Sequence, residues 1–390
     1  MTSVRSLGVR CLALLALGCS TAHAETQVLQ GILGKTPVTV ELTLDDPNAV
    51  SGRYFYQKYH SDIALDGQLD ASGTLRMSEN QQYGDEQSQQ PWTLHRNNDG
   101  SWSGTWQRKN QTLPIRLTPA RQPALDEQEQ ASTYLNSLAK DSLYDLIRLA
   151  DLAFTKGKTE KFMGYQLQWW TEPTSKISLF TWLSGPQGVD LTLINQVLRD
   201  KQWQEVTSYF ECMLGGSQTG GGDFEQTLKP MYFNTSVMSV SVFTSYFCGG
   251  AHPDFGDNPI NLDVHTGKEL TLEDVFWLGD GKPIHYNDRT YENFDEFSKY
   301  RSDVFAPWIM SYFSKLYPKD MGVNQAKSED DCDYQDSDVW QFVPWYFTAK
   351  GLYISPYFAR VARACEYPDW PYLPYSEVKK HPGDIALTLP

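Results

Sequence analysis

The strongest strand signal in the chain is residues 237–248, VMSVSVFTSYFC. Apolar residues alternate with serine over its first half, which is the period of a β-strand. Three apolar side chains fall on one face, while Val237 and Phe243 make the other face partly apolar. Strands with apolar residues on both faces are typical of the centre of a sheet. We therefore predict that this strand is central in its sheet.

Helical and strand patterns alternate on both sides of this strand. The predicted helices are residues 134–154, a helix from an Asp190 cap to about Cys212, and residues 294–316. The predicted strands are residues 166–170, 177–182, 342–348 and 352–359. Residues 215–222 are so rich in glycine that we expect a loop there. Residues 131–390 are thus predicted to form one α+β domain of mixed elements.

The chain before this domain has a different pattern. Residues 25–118 contain alternating strands, and three of them follow a Ser-Gly pair. Turns rich in asparagine and glycine separate these strands, which predicts an antiparallel β-domain built as a meander or half-barrel. Residues 119–130 lack an apolar period and are predicted to be a linker.

The N-terminus has the order of a secretory signal peptide over residues 1–24. Arg5 and Arg10 precede an apolar run at residues 11–18, and a small-x-small motif ends at Ala24. We expect cleavage after Ala24 and export to a periplasm or the extracellular space. A lipoprotein anchored at Cys19 is the alternative, although residues 16–19 match the lipid-attachment motif only in part.

The charge of the chain favours some partners over others. The formal net charge is −15, and loss of the two N-terminal arginines would take it to −17. Nucleic-acid binding is disfavoured, because phosphate contacts need clustered lysine and arginine. An acidic surface favours encounter with a cationic partner, although the charge also keeps a protein soluble. No later stretch is apolar enough for a transmembrane span.

Four cysteines remain after the predicted cleavage: Cys212, Cys248, Cys332 and Cys365. An even number in an exported chain is typical of disulfides, and none of the four belongs to a CxxC pair. Three pairings are open. We favour Cys212–Cys248 with Cys332–Cys365, because each pair then encloses one compact stretch of strand and turn.

Catalytic signatures are absent from the sequence. It contains no GxSxG elbow, HExxH motif, phosphate loop or dinucleotide fingerprint, so we expect no catalytic residue, cofactor or resident metal. The one dense group of metal-competent side chains includes His252, Asp254 and His265. Together they could form a zinc or hydrolytic site, while the glycines and prolines around them favour an ordinary turn.

Residues 247–253, FCGGAHP, and residues 261–276, NLDVHTGKELTLEDVF, resemble the RsiV-type domain. Pro-Tyr at 356–357 and PYSEV at 374–378 match that family's closing signature. The resemblance covers roughly residues 160–385 and implies an α+β extracytoplasmic domain. The family occurs in an anti-sigma factor that senses lysozyme by binding it and beside catalytic domains of cell-wall deacetylases. The absence of a transmembrane segment departs from the anti-sigma pattern.

Charge and resemblance together predict a non-catalytic envelope protein that binds a cationic lysozyme-like protein or peptidoglycan. The alternative is a cell-wall hydrolase or deacetylase that uses the group around His252. For the binding hypothesis we expect the contact at one end of the sheet, where a Cys212–Cys248 bridge would bring together the loops 215–222 and 249–257. The predicted binding residues there are His252, Asp254, Asp257 and Asp223.

Overall fold

The structure is a computed structural model that describes residues 25–79, 91–217, 219–287, 290–323 and 332–389. The predicted signal peptide and Cys19 lie outside the described residues. The described chain begins with an all-β barrel and continues into a larger region of mixed helices and sheets. An antiparallel β-domain followed by an α+β region is therefore confirmed.

Eight antiparallel strands form the barrel, and each pairs with the next along the chain. They are β1 (Thr26–Leu33), β2 (Thr36–Thr43), β3 (Val50–Tyr56), β4 (Asp62–Leu69), β5 (Thr74–Glu79), β6 (Trp92–Arg96), β7 (Trp102–Arg108) and β8 (Gln111–Pro119). The meander prediction is correct, but the barrel closes fully because β8 pairs back onto β1. Gly31 permits this seam, since a Cβ there would lie 1.9 Å from the carbonyl oxygen of Arg116.

The interior of the barrel is filled by apolar side chains. The alternation noted in the sequence points one side of each strand inward, so that Val38, Val40 and Leu42 are fully buried. Trp92 and Trp102 are the largest fully buried side chains of this core. A small barrel packed in this way leaves no unpaired sheet edge.

Residues 120–154 connect the barrel to the second region through three helices, namely α1 (Glu127–Gln130), α2 (Thr133–Asp141) and α3 (Leu143–Ala150). The predicted linker thus contains one short helix. The predicted single helix over residues 134–154 is wrong, because the helix breaks at Ser142, which has non-helical backbone angles (φ −151°, ψ 82°) and N-caps α3. A serine oxygen at such a position satisfies a free backbone N–H of the following helix.

A buried polar network joins α3 to the barrel. Arg148 donates to Asp62 on β4 at 2.5 Å, and the hydroxyl of Tyr144 donates to the same carboxylate at 2.5 Å. Arg53 on β3 donates to Asp145 at 3.0 Å. The side chains of Arg148 and Asp62 are 1% and 0% exposed. The barrel and the helices therefore share an interface in which opposite charges are paired out of water.

Three sheets make up the second region. Their strands are β9 (Thr155–Phe162), β10 (Tyr165–Thr171), β11 (Ser178–Ser184), β12 (Asp223–Phe233), β13 (Val237–Phe247), β14 (Asp254–Asp257), β15 (Ile260–Asp263), β16 (Trp345–Phe347), β17 (Leu352–Ile354) and β18 (Tyr372–Leu373). As predicted, β13 is central: β12 lies on one side, and β14 and β15 lie on the other. The strands β16 and β17 are shorter than the sequence predicts.

The long helix α4 (Leu191–Ser217) begins at the predicted Asp190 cap, whose carboxylate accepts the backbone N–H of Thr192 at 2.9 Å. It continues past the predicted end at Cys212, so the expected loop over residues 215–222 is wrong in its first three residues. A Cβ on Gly216 would lie 2.2 Å from the Cα of Gly222. Close packing thus requires glycine here and outweighs its cost in a helix, about 1 kcal/mol per residue.

The remaining α-helices are α5 (Leu272–Val275), α6 (Phe294–Tyr300), α7 (Ala306–Leu316) and α8 (Tyr375–Val378), and Ser337–Trp340 and Arg360–Cys365 form short 3₁₀ helices. One π-helical turn, Arg301–Phe305, joins α6 to α7. The predicted helix over residues 294–316 is therefore confirmed in extent and differs only in this turn. Its apolar face packs into the largest core of the molecule, which also contains Phe276 and Trp340.

Two disulfides cross-link the second region in the favoured pairing. Cys212 on α4 is bonded to Cys248 after β13, and Cys332 is bonded to Cys365. Such bonds fit an exported protein, because they persist in oxidising compartments. In the part of the chain that the structure describes, no helix has the length and apolar character needed to cross a membrane.

Candidate functional site

A cleft of about 440 Å³ opens between the β14–β15 segment, α5 and α6. Polar side chains line much of it. They are Asp257, Asn258, Asn261, Glu269, Thr271, Glu273, His285 and Arg301. Clefts that combine apolar walls with a few convergent polar groups are the usual place for a ligand site.

Glu273 supplies a buried carboxylate to this cleft. It lies on α5, which begins at a capping box between Thr271 and Asp274. Arg301 holds the Glu273 carboxylate at 2.7 Å, and both side chains are almost fully buried. Burial raises the pKa of Glu273, and the guanidinium of Arg301 opposes that shift. The two buried side chains therefore carry matched opposite charges at the cleft.

Asp257 supplies a second carboxylate, at the end of β14. It accepts a hydrogen bond from the backbone N–H of Val242 and another from the hydroxyl of Ser241, both at 2.7 Å. Burial raises the pKa of Asp257 despite these two donors. Raised carboxyl pKa values in a cleft are a recognised mark of functional sites.

A row of aromatic side chains borders the cleft. Tyr286 packs 4.7 Å from Phe297, measured between ring centroids, and Phe297 lies 6.4 Å from Phe342. Phe294 extends the row 5.6 Å beyond Tyr286, and Tyr291 follows at 6.4 Å from Phe294. All except Phe297 are more than a third exposed, and Tyr291 reaches 70%. Exposed apolar groups that are contiguous mark interaction surfaces more reliably than scattered ones do.

The backbone that carries the end of this row is strained. Tyr291 has a φ of 56° and Asn293 a φ of 62°, both in the left-handed region. Asparagine tolerates this conformation, but a tyrosine there is uncommon. Such a residue costs on the order of 1–3 kcal/mol, and strained residues cluster at binding and catalytic sites.

His285 forms the edge of the cleft together with two carboxylates. Its Nε2 lies 3.7 Å from Asp274 Oδ1 and 3.4 Å from Asp384 Oδ2. One ligand atom from each of the three residues falls within 4.8 Å of the other two. Lys268 also reaches this group and contacts Asp274 Oδ1 at 2.6 Å.

No protein-family model matches this chain, and no curated protein matches it. Aromatic faces attract cations, and carboxylates at the same place add direct charge attraction. The arrangement is suited to holding a positively charged group.

The predicted site residues His252 and Asp254 lie at the other end of the sheet. His252 is exposed in the bend after β13. Asp254 is paired with Arg360 at 3.3 Å and with Arg363 at 3.4 Å. Two guanidinium groups thus neutralise Asp254, so it does not present the free negative charge that the sequence interpretation assigned to it.

His265 does not meet these residues. It follows Asp263, which pairs with Val237 at the start of β13, whereas Asp254 pairs with Tyr246 near its end. Those two positions are nine residues apart, or about 30 Å at roughly 3.3 Å per residue. A single zinc or hydrolytic site from His252, Asp254 and His265 is therefore not formed.

The two predicted loops do lie side by side. A Cβ on Gly249 would be 2.5 Å from the carbonyl oxygen of Gly215. Asp223 is exposed beside the bridge, and the Sγ of Cys212 lies 3.7 Å from its carbonyl oxygen. Asp257 faces the cleft instead and is half-buried. Of the four predicted acidic and histidine residues, only Asp257 belongs to the cleft.

Sequence interpretation missed most of the cleft, although part of its signal was present. Glu273 stands between Leu272 and Val275, which are both buried, so its side chain required a partner within the fold. Arg301 stands in the predicted helix 294–316 and had no assigned role. The pairing could not be read from the sequence, since it joins residues 28 positions apart, one on α5 and one in the π-helical turn.

Proposed function

We propose that this protein is an exported binding protein that captures a cationic protein partner in the cleft lined by Asp257 and Glu273. A lysozyme-like hydrolase is the first candidate partner. The observation that carries the proposal is the row of exposed aromatic side chains beside an acidic cleft. Lysine and arginine side chains of a basic protein fit such a place, because they gain both aromatic and carboxylate contacts.

The charge around the cleft supports this partner. Five carboxylates belong to the cleft and its His285 edge, namely Asp257, Glu269, Glu273, Asp274 and Asp384. Among the residues that the structure describes, Lys201, Lys268 and Arg301 are the lysine and arginine side chains paired with them. The local balance among these groups is negative, as is the net charge of −15 for the chain. Complementary charge speeds encounter and selects against acidic partners.

The resemblance of residues 247–253 and 261–276 to the RsiV-type domain is a second support. In this protein the chain from the first block to the end of the second runs from the end of β13 through β14 and β15, turns at Gly267, and finishes in α5. The second block therefore supplies Glu273, while Asp257 lies between the two blocks. Membership of that family remains part of the proposal.

Binding is tested with a basic lysozyme in a calorimetric titration at two salt concentrations. We expect 1:1 binding that weakens with salt, because screening reduces attraction between exposed charges. Removal of an aromatic contact by Phe342→Ala should lower the affinity about tenfold, which is within the range for an interface anchor. Glu269→Gln should reduce the salt dependence, since the side chain of Glu269 is 51% exposed.

Matched controls are available at the disulfide end of the sheet. Tyr357 is as exposed as Phe342, at 49% against 45%, and Asp254 is also acidic. Tyr357→Ala and Asp254→Asn should leave the affinity unchanged. If these two variants weaken binding and the cleft variants do not, the contact lies at the disulfide end. Failure to bind any muramidase would remove the proposed partner.

A further inference from the structure

We propose that Asp274, His285 and Asp384 form a binding site for one divalent transition-metal ion, with zinc as the natural probe. This inference goes beyond the proposed partner binding and does not depend on it. The site lies at the edge of the cleft, where α5, the segment around His285 and the C-terminal segment meet.

The distances between the ligand atoms fit a single ion. Two ligands placed about 2.0–2.2 Å from a tetrahedral zinc lie roughly 3.3 Å apart. His285 Nε2 is 3.4 Å from Asp384 Oδ2 and 3.7 Å from Asp274 Oδ1. Small side-chain adjustments would complete the triangle, and water would fill the fourth position. Imidazole and carboxylate together suit zinc and similar ions.

The hydrogen bonds around His285 orient Nε2 as a ligand. The hydroxyl of Thr271 donates to Asp274 Oδ2 at 3.1 Å, so it can only accept from the imidazole. The contact of 3.1 Å between that hydroxyl and His285 Nδ1 therefore places the proton of a neutral ring on Nδ1. An Nδ1–H held by a neighbouring oxygen is the arrangement that fixes metal-binding histidines. The lone pair of Nε2 then points toward the two carboxylates.

The net charge of the three ligands suits a divalent ion. Asp274 is fully buried, and Lys268 Nζ lies 2.6 Å from its Oδ1. Two carboxylates and a neutral imidazole carry −2, which a divalent ion balances and one ammonium group does not. Lys268 is about half exposed, so its side chain can swing into water. We therefore expect the ammonium group of Lys268 to compete with the metal ion for Asp274 Oδ1.

The experiment measures zinc binding by the untagged full-length protein with no partner protein present. We expect one zinc per chain by metal analysis after dialysis and a matching stoichiometry by calorimetry. His285→Ala should weaken the affinity at least about 100-fold, because it removes a direct ligand. Lys268→Met should strengthen it about tenfold, because it removes a positive charge next to the ion. Calcium should not compete, since it prefers oxygen ligands.

Two further variants make the result decisive. Asp384 is about half exposed, so Asp384→Asn is compatible with folding and should also weaken zinc binding. His252→Ala removes an exposed histidine outside the site and should change nothing. Circular dichroism verifies that each variant is folded. The proposal is overturned if the protein takes up no stoichiometric zinc or if folded His285→Ala and Asp384→Asn bind zinc like the parent protein.

Discussion

The barrel and the second region reach stability by different means. In the barrel every strand pairs with its sequence neighbours, the seam between β1 and β8 removes the edges, and the interior is apolar. The second region contains strands as short as two residues, and both disulfides lie within it. Regular pairing makes cross-links unnecessary in the first case. In the second, disulfides and buried ion pairs such as Glu273 with Arg301 hold short strands and irregular segments together.

The largest effect is expected where the two regions meet. Arg148→Met leaves the carboxylate of Asp62 buried without its cation, and loss of one partner of a buried pair costs about 3–5 kcal/mol. Urea unfolding followed by tryptophan fluorescence measures the loss.

The control for this change is the double variant Arg148→Met with Asp62→Asn. It removes the uncompensated charge and should recover a large part of the lost stability. Equal instability of the single and double variants would mean that packing, and not charge, determines the strength of this interface.

A smaller effect is expected from the bridge between α4 and β13. Replacement of Cys212 and Cys248 by alanine should lower the free energy of unfolding by about 2–4 kcal/mol, because the unfolded chain gains freedom over a loop of 36 residues. Hydrogen exchange should show lost protection in β12 and β13 and little change in the barrel.

The hydrogen-exchange pattern of this variant also tests whether the barrel and the second region unfold independently. If the barrel amides lose protection as much as those of β13, the two regions unfold as one cooperative unit. Protection lost only in the second region would establish that the barrel is independently stable.

The smallest effect is expected at Asp257, and it depends on pH. Because burial raises its pKa in the folded protein, Asp257 binds a proton more tightly in the folded than in the unfolded state. Its contribution to stability is therefore fully present below the unfolded pKa of about 3.9 and is lost as the pH rises through the folded pKa. Asp257→Asn keeps an acceptor for Val242 N–H and can donate to Ser241, so it should escape this loss.

Thermal unfolding between pH 4 and pH 8 measures the difference. The variant should match the parent protein near pH 4 and become the more stable of the two toward neutral pH. Parallel curves over the whole range would mean that Asp257 does not titrate differently in the folded state. Ser241→Ala, which removes only one donor to Asp257, serves as the comparison.

The sequence predicted the barrel better than the second region for a physical reason. Strand alternation at Val38, Val40 and Leu42 is a local signal, and barrel strands pair with their neighbours in sequence. The end of α4 was missed because close packing of Gly216 against Gly222 overrides the low helix propensity of glycine. That contact depends on the folded chain and has no local signature.

The candidate site also depends on contacts that have no local signature in the sequence. Proximity in sequence grouped His252, Asp254 and His265, but the pairing of β13 with two successive strands places them at opposite ends. The cleft instead joins residues from β14, α5 and α6. The sequence shows that these aromatic residues are present, but it does not show that their rings lie in a row.

Helix α4 also has a mechanical consequence. Its 27 residues span about 40 Å, since an α-helix rises roughly 1.5 Å per residue. Near its middle Lys201 pairs with Glu269 at the cleft, and further along Phe210 stacks against Arg148 at the barrel interface. The nine residues between these two contacts span about 14 Å, so one helix supports both sites. A displacement of α4 along its axis would therefore move the cleft and the barrel interface together.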